Sequence, residues 1–184
     1  MNENLQRKMP NTRKYLVVGA AGSGKSTLER IFNNKGYQTN DIDSSFGEWR
    51  NIDTNKTVNY NPNGGKIWLK KHIWCLNIPK LTKRLAERFD GPLIIFGTTS
   101  DIQKSFSLFD KVLLLKYDND DQVRERIKSR TDNLYGKHPD EMSLLLSRYK
   151  VLQEEYRING AIPIDCSQSV EEIVEIIENE IHDH

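Results

Sequence analysis

Apolar residues in this chain fall into short unbroken runs, set apart by longer stretches with helical spacing. Residues 15–18 read Tyr-Leu-Val-Val, 93–96 read Leu-Ile-Ile-Phe and 112–115 read Val-Leu-Leu-Leu. Such runs suit strands buried on both faces of a sheet. Segments 37–42 and 161–164 are weaker versions, which makes five strands. Between them the spacing turns helical. Leu28, Ile31 and Phe32 share a helix face that Gly36 terminates. Leu81, Leu85 and Phe89 form one stripe in a stretch over 66–89, read as two helical segments meeting at Pro79 and ended by Asp90-Gly91-Pro92. A short helix is predicted over 101–109, a charged one over 120–130 and a long one over 140–158. Ser169, with Glu172 three residues on, makes a capping box for the last helix. Five apolar strands alternating with helices predict an α/β fold in three layers: a parallel sheet covered by helices on both faces, with right-handed crossovers.

Two stretches break the alternation. Residues 44–51 read as a short helix or turn. Residues 53–65 are rich in Asn, Thr and Gly with Val58 and Tyr60 alternating, which predicts a small hairpin or loop excursion. The wider region of about 44–90 is taken as an acceptor-binding excursion from the main sheet. Residues 131–138 form a polar segment of suitable length for a lid. Residues 1–13 are polar and predict a flexible N-terminal arm, leaving 14–184 as a single domain.

The 184 residues suffice for one proper core. The net charge of +1 supplies no global field to draw nucleic acid or an acidic membrane surface. No stretch approaches the roughly 18 apolar residues of a membrane span, and residues 1–13 lack the apolar segment of a secretory signal. Cys75 and Cys166 have no C-x-x-C spacing and read as small buried hydrophobes. A reducing, cytoplasmic setting is the expectation from these features together.

The sharpest chemical signal is Gly19-Ala20-Ala21-Gly22-Ser23-Gly24-Lys25-Ser26, the G-x-x-x-x-G-K-S pattern of a phosphate-binding P-loop. Its context is right: an apolar strand before it, a helix after it. Gly19, Ala21, Gly22, Ser23 and Gly24 turn successive backbone N–H groups toward one anion, and Thr27 continues into the helix whose positive end faces the same point. Lys25 brings a compact charge for the β- and γ-phosphates. The Ser26 hydroxyl is placed to ligate Mg²⁺.

Ligands of open parallel sheets bind beyond the carboxyl ends of the strands, so residues following each strand are the other candidates. Asp41 and Asp43 follow the second strand; either can hold Mg²⁺ or accept the proton of an attacking hydroxyl, with capping of the next turn as the plainer role. Asp43 is the favoured one. Arg126 and Arg130 stand at i, i+4 on one helix face, suited to phosphate oxygens or to a solvated surface paired with Glu125. Arg148, one helix further, is read either as a further phosphate ligand or as a surface ion-pair partner. Trp49, Arg50, Trp68, Lys70, Lys71, His72 and Trp74 bring aromatic plates and cations together around the excursion. Trp49, Arg50 and His72 are taken there as substrate-binding candidates, with core packing the plainer reading of Trp68 and Trp74. No strand ends in the acidic pair of motor-type ATPases, residues 55–58 lack the Asp of a guanine-reading motif, and no His/Cys cluster has zinc spacing.

Taken together, the loop at 19–26, the Glu125-Arg126-x-x-x-Arg130 element, the lid and Arg148 resemble the adenylate kinase and shikimate kinase group of small P-loop kinases. The resemblance runs from about 14 to 182. Asp41-Ile42-Asp43 is similar to the Asp-x-Asp of shikimate kinases. With Trp49, the 68–74 stretch and Arg130-x-x-Asn133-x-Tyr135-Gly136-Lys137, the chain also looks like bacterial kinase-like P-loop proteins labelled only as ATPases. The resemblance implies ATP and Mg²⁺, in-line transfer of the γ-phosphoryl, Arg126 against the adenine or phosphates, Arg130 at the transferring group, and Ser167 bordering the adenine. The chain departs from both groups after its third strand. Phe96-Gly97-Thr98-Thr99-Ser100-Asp101 replaces the arginine-bearing adenylate kinase segment and the triple glycine of shikimate kinases, so neither acceptor is implied.

The expectation is an ATP-dependent phosphotransferase on a small-molecule acceptor, a nucleoside or nucleotide among them. A nucleotide-gated binding protein without turnover and a polynucleotide 5′-hydroxyl kinase are the alternatives. Neither a membrane nor a nucleic acid is the expected partner.

Overall fold

The structure is a computed structural model, and it describes residues 12–129, 131 and 134–183. In chain order the elements are β1 (Lys14–Gly19), α1 (Lys25–Asn34), β2 (Gln38–Asp41), α2 (Ile42–Ser45), β3 (Gly47–Asn51), β4 (Thr57–Val58), α3 (Gly65–Leu69), β5 (His72–Leu76), α4 (Ile78–Leu85), β6 (Leu93–Phe96), a 3-10 helix (Ile102–Leu108), β7 (Lys111–Lys116), α5 (Asp120–Ser129), α6 (Pro139–Ile158), β8 (Ile162–Asp165) and α7 (Val170–His182). The main sheet has five strands in the order β2-β6-β1-β7-β8, all parallel. The expected α/β architecture is present.

Alternation along the strands divides the core in two. Tyr15, Val17, Ile94, Phe96, Leu113 and Leu115 point to one face, where Leu28 and Phe32 of α1, Val123 and Ile127 of α5, Leu145 and Tyr149 of α6 and Ile173 and Ile177 of α7 cover them. Leu16, Val18, Leu93, Ile95, Val112 and Leu114 point to the other, under Leu81 and Leu85 of α4 and Ile102 and Phe106 of the 3-10 helix. The unbroken apolar runs are therefore a consequence of cover on both sides. α7 begins with the expected capping box, Ser169 and Glu172 each bonding the other's backbone.

The excursion differs from its sequence reading. The second strand stops at Asp41 rather than Ile42, because the Asp41 carboxylate accepts from the backbone N–H groups of Asp43 and Ser44 and starts a helical turn there. Residues 47–51, expected as helix or turn, form β3. Residues 66–89, expected to be helical, contain β5. Together with β4 these make a second, antiparallel sheet in the order β4-β3-β5. Cross-strand packing of Trp49 on Trp74 outweighs the helical spacing around Pro79. Pro79 then lies in the first turn of α4, where its missing N–H costs nothing, instead of joining two helices. Of the predicted arm, residues 1–11 lie outside the described residues, while Thr12 and Arg13 run into β1; the Arg13 carbonyl accepts from the Leu93 backbone N–H.

Candidate active site

The loop between β1 and α1 folds as its glycines require. Gly22 has φ 80° and Gly24 has φ 91°. Gly24 is the N-cap of α1 in the left-handed region, where any side chain would be strained. Lys25 is buried, and its ammonium donates to the carbonyls of Gly19 (2.7 Å) and Ala20 (2.8 Å) and to Ser23 Oγ (3.3 Å). The loop also closes on itself through the Ser23 N–H, which donates to the Ala20 carbonyl at 3.1 Å. Ala21 and Gly22 are half-buried, whereas Ser26 and Thr27 are exposed at the first turn of the helix.

Asp41 and Asp43 stand at the end of β2, next to β6 and one strand removed from β1. Burial raises the Asp41 carboxyl above its ordinary value, and the neighbouring charge of Asp43 raises it further. Its bonds from the Asp43 and Ser44 backbones and the charge of Lys25 act in the opposite direction. Asp41 therefore serves as the cap of α2 within electrostatic reach of Lys25, and Asp43 is exposed on that turn. The two do not lie on one extended strand face, because α2 begins between them. The Asp41 and Asp43 carboxylates and the exposed Ser26 hydroxyl are hard-oxygen donors of the kind that suits Mg²⁺ held jointly with phosphates.

Arg126 reaches the loop from α5. A Cβ built on Gly24 would stand 3.9 Å from Arg126 Nη1, and the guanidinium lies 5.0 Å from the centre of the Tyr117 ring. The Tyr117 hydroxyl is buried with no hydrogen-bond partner among the described residues, and burial pushes it up to about 12. The Gln153 side chain accepts from the Tyr117 N–H (2.8 Å) and donates to the Tyr117 carbonyl (3.1 Å), fixing that residue to α6. Beyond β8, Cys166 is buried against the Ser23 carbonyl, and burial pushes its thiol up to about 12. Ser167 is exposed and bonded to Asp165. Cys166 fits its reading as a small buried hydrophobe; Cys75 is half-exposed on β5 and does not.

Arg130 lies outside the described residues, as do positions 132 and 133 of the lid. Arg148 is exposed on α6, with no hydrogen bond or ion pair to the donor loop among the described residues. Trp49 and Arg50, adjacent in β3, point to opposite faces of the small sheet. Arg50 bonds Glu48 through Nε and Nη2, and its charge is engaged there. His72 stacks on Trp68 at 4.0 Å and bonds the Trp68 carbonyl and Asn51, so it belongs to the packing of the excursion. The single aromatic-and-cationic surface expected from the sequence is therefore divided.

What replaces it is an aromatic layer. Trp49 stacks on Tyr60 at 5.5 Å and contacts Trp68 (4.9 Å), Trp74 (5.4 Å) and Tyr135 of the lid segment (5.9 Å). The Trp74 indole donates to the Thr98 carbonyl at 3.2 Å, on the loop after β6. Thr98 Oγ meets Tyr156 Oη at 2.7 Å. The sequence signalled this layer only through its three clustered tryptophans; the contributions of Tyr60, Tyr135 and Thr98 depend on contacts made across the fold.

No protein-family model and no curated protein matches the sequence. Solved structures do match along nearly the whole length. A deoxyadenosine kinase from M. mycoides with bound dATP superposes at TM-score 0.56 and 16% identity, over 92% of this chain and 100% of that one. A shikimate kinase from Acinetobacter baumannii in complex with shikimate gives 0.56 and 15%, over 92% and 93%. A gluconokinase from Sinorhizobium meliloti gives 0.51 and 19%, over 90% and 89%. With its P-loop after the central strand and its five parallel strands, the chain has the fold of the small P-loop kinases.

Proposed function

We propose that this protein is an ATP-dependent phosphotransferase that transfers the γ-phosphoryl to a hydroxyl of a small molecule. The observation that carries the reading is a shared edge of the sheet: β1 and β2 run parallel on either side of β6, so the P-loop with Lys25 and the turn with Asp41 and the exposed Asp43 follow strand ends on the same edge. A phosphate cradle facing a carboxylate is the arrangement that places donor and acceptor in line. The similar structures include kinases of a deoxynucleoside, of shikimate and of a sugar acid, which supports a hydroxyl-bearing acceptor at this position.

In this reading the backbone N–H groups of Ala21, Gly22, Gly24 and Lys25 bind the donor phosphates and Lys25 neutralises their developing charge. Arg126 packs against the donor beside Tyr117, and Ser167 borders its base. Ser26 and Asp43 would hold Mg²⁺, which when bound would offset the negative charge of the phosphates. Asp43 orients the acceptor hydroxyl and takes its proton. The new bond joins the acceptor oxygen to phosphorus, the bond from the γ-phosphorus to the bridging oxygen breaks, and ADP leaves. Arg130 and Arg148 would add charge once the lid closes. Trp49 and Trp74 form the wall on which the acceptor rests. Closure of the segment around Tyr135 excludes water and so suppresses ATP hydrolysis.

The test is release of ADP from Mg·ATP with a panel of nucleosides, nucleoside monophosphates, shikimate-like polyols and 5′-hydroxyl oligonucleotides, with Lys25→Ala and Asp43→Asn as controls. Turnover stimulated by one class and lost in both variants is expected. Tight nucleotide binding without stimulation by any acceptor would favour a nucleotide-gated binding protein instead.

A further inference from the structure

The chemistry above leaves one buried acid without a role. Glu141, in the first turn of α6, is 0% exposed. The Tyr60 hydroxyl donates to it, 2.9 Å from Oε1 and 2.7 Å from Oε2, and the Gly136 backbone N–H donates to Oε2 at 3.0 Å. Tyr60 belongs to the excursion, Gly136 to the lid segment and Glu141 to α6. One carboxylate therefore joins three parts of the molecule that surround the acceptor.

Glu141 is an expensive way to fill space. A buried carboxylate carries a desolvation cost, against which the described residues set the Tyr60 and Gly136 donors and the positive end of α6. An apolar side chain of the same size packs a core as well or better. What the carboxylate adds is direction: it fixes the Tyr60 ring, which lies nearly parallel to Trp49 with 19° between planes. From Trp49 the contacts run to Trp74 and through its indole N–H to Thr98, at the carboxyl end of β6. In the other direction Tyr135, next to Gly136, packs on both Trp49 and Tyr60. The helices α3 and α6 also come close here: a Cβ built on Gly65 would stand 2.8 Å from the His138 ring.

We propose that Glu141 is a positioning residue that ties the aromatic acceptor wall to the lid, so that donor seating under the lid and acceptor seating on the wall are linked through its bond to Tyr60. This rests on the kinase reading, which supplies the two ligands. Linkage of this kind is reciprocal and typically changes each affinity by about 5–150-fold.

The chain's three tryptophans, Trp49, Trp68 and Trp74, all lie in this cluster and none lies in the donor loop. Their emission therefore reads the wall without a label. A non-hydrolysable ATP analogue with Mg²⁺ is titrated into wild type, Glu141→Gln and Tyr60→Phe, with affinity taken from calorimetry and the wall from tryptophan emission. Both substitutions keep size and ring stacking, and circular dichroism checks the fold; should Glu141→Gln fail to fold, Tyr60→Phe carries the test alone. The expected result is an emission change on nucleotide binding in wild type. Both variants should then bind nucleotide within about threefold of wild type but lose most of that change. With an identified acceptor, both variants should lose at least fivefold in acceptor affinity when the ATP analogue is bound and, reciprocally, in analogue affinity when the acceptor is bound, while analogue affinity without acceptor holds. Nucleotide binding with no emission change in wild type, or with an undiminished change in both variants, would overturn the coupling while leaving the kinase reading intact. Failure of wild type to bind nucleotide would bring down the kinase reading and the coupling with it.

Discussion

The ammonium of Lys25 donates to the carbonyl of Gly19 at 2.7 Å, across the loop that begins with one residue and ends with the other. The cation is thus held inside the loop by its own backbone, with the Ala20 carbonyl and Ser23 Oγ also accepting from it. A phosphate competes for a charge already in place and pays little to order it.

Lys25→Ala should therefore weaken Mg·ATP binding by about 10–100-fold, the worth of a charge-assisted hydrogen bond of roughly 1.5–3 kcal/mol. Calorimetric titration measures it. An affinity unchanged by the substitution would remove the donor loop from the proposed function.

Arg126 should act as a fork and not as a charge alone, because it lies over the Tyr117 ring beside Gly24. Arg126→Ala and Arg126→Lys should each lose about tenfold in nucleotide affinity, since an ammonium does not reproduce guanidinium stacking. Recovery of full affinity in the lysine variant would show that charge suffices.

The clasp between α5 and α6 makes stability depend on acid. The Tyr149 hydroxyl donates to Asp120 Oδ1 at 2.5 Å, and this bond, followed by that from Lys150, holds the Asp120 carboxyl below its ordinary value. The unfolded chain protonates Asp120 at a higher pH than the folded one does. The contribution is therefore fully present above the ordinary carboxylate range and is lost as pH falls through the folded value. Tyr149→Phe should flatten this part of the acid limb of a urea-denaturation series, with the difference from wild type largest near neutrality and vanishing at low pH. A constant difference across the series would assign the loss to packing instead.

Much of the main sheet was legible because its three inner strands, β1, β6 and β7, are buried on both sides and carry unbroken apolar runs, as in Leu93-Ile94-Ile95-Phe96. The P-loop was legible because its spacing is itself the mechanism. The excursion was not. In β3 only Trp49 is strongly apolar among Gly47-Glu48-Trp49-Arg50-Asn51, and its partner strand lies more than twenty residues away. Five-residue β5 sits between helices and next to Pro79, so local spacing pointed to helix and the long-range pairing overrode it. Glu141 was hidden for a different reason. An acid in the first turn of a helix is what the helix dipole favours on any exposed surface, and only the tertiary approach of Tyr60 turns it into a buried acceptor.

The capping box at Ser169 should be worth its usual amount. Ser169→Ala should cost about 1 kcal/mol, read from urea denaturation as a lower midpoint with an unchanged slope. The loss should appear as loosening of α7, whose Ile181 carbonyl receives the Tyr15 hydroxyl at 2.9 Å.

The position of β1 in the sheet has a consequence for biosynthesis. β1 lies at the centre of the sheet, yet its two neighbours β6 and β7 are encoded some eighty and a hundred residues after it. A nascent chain leaving the ribosome carries its complete phosphate-binding motif while that motif has no sheet to hang from. Nucleotide cannot act as an early folding template; it can stabilise only chains that have already emerged through Lys116.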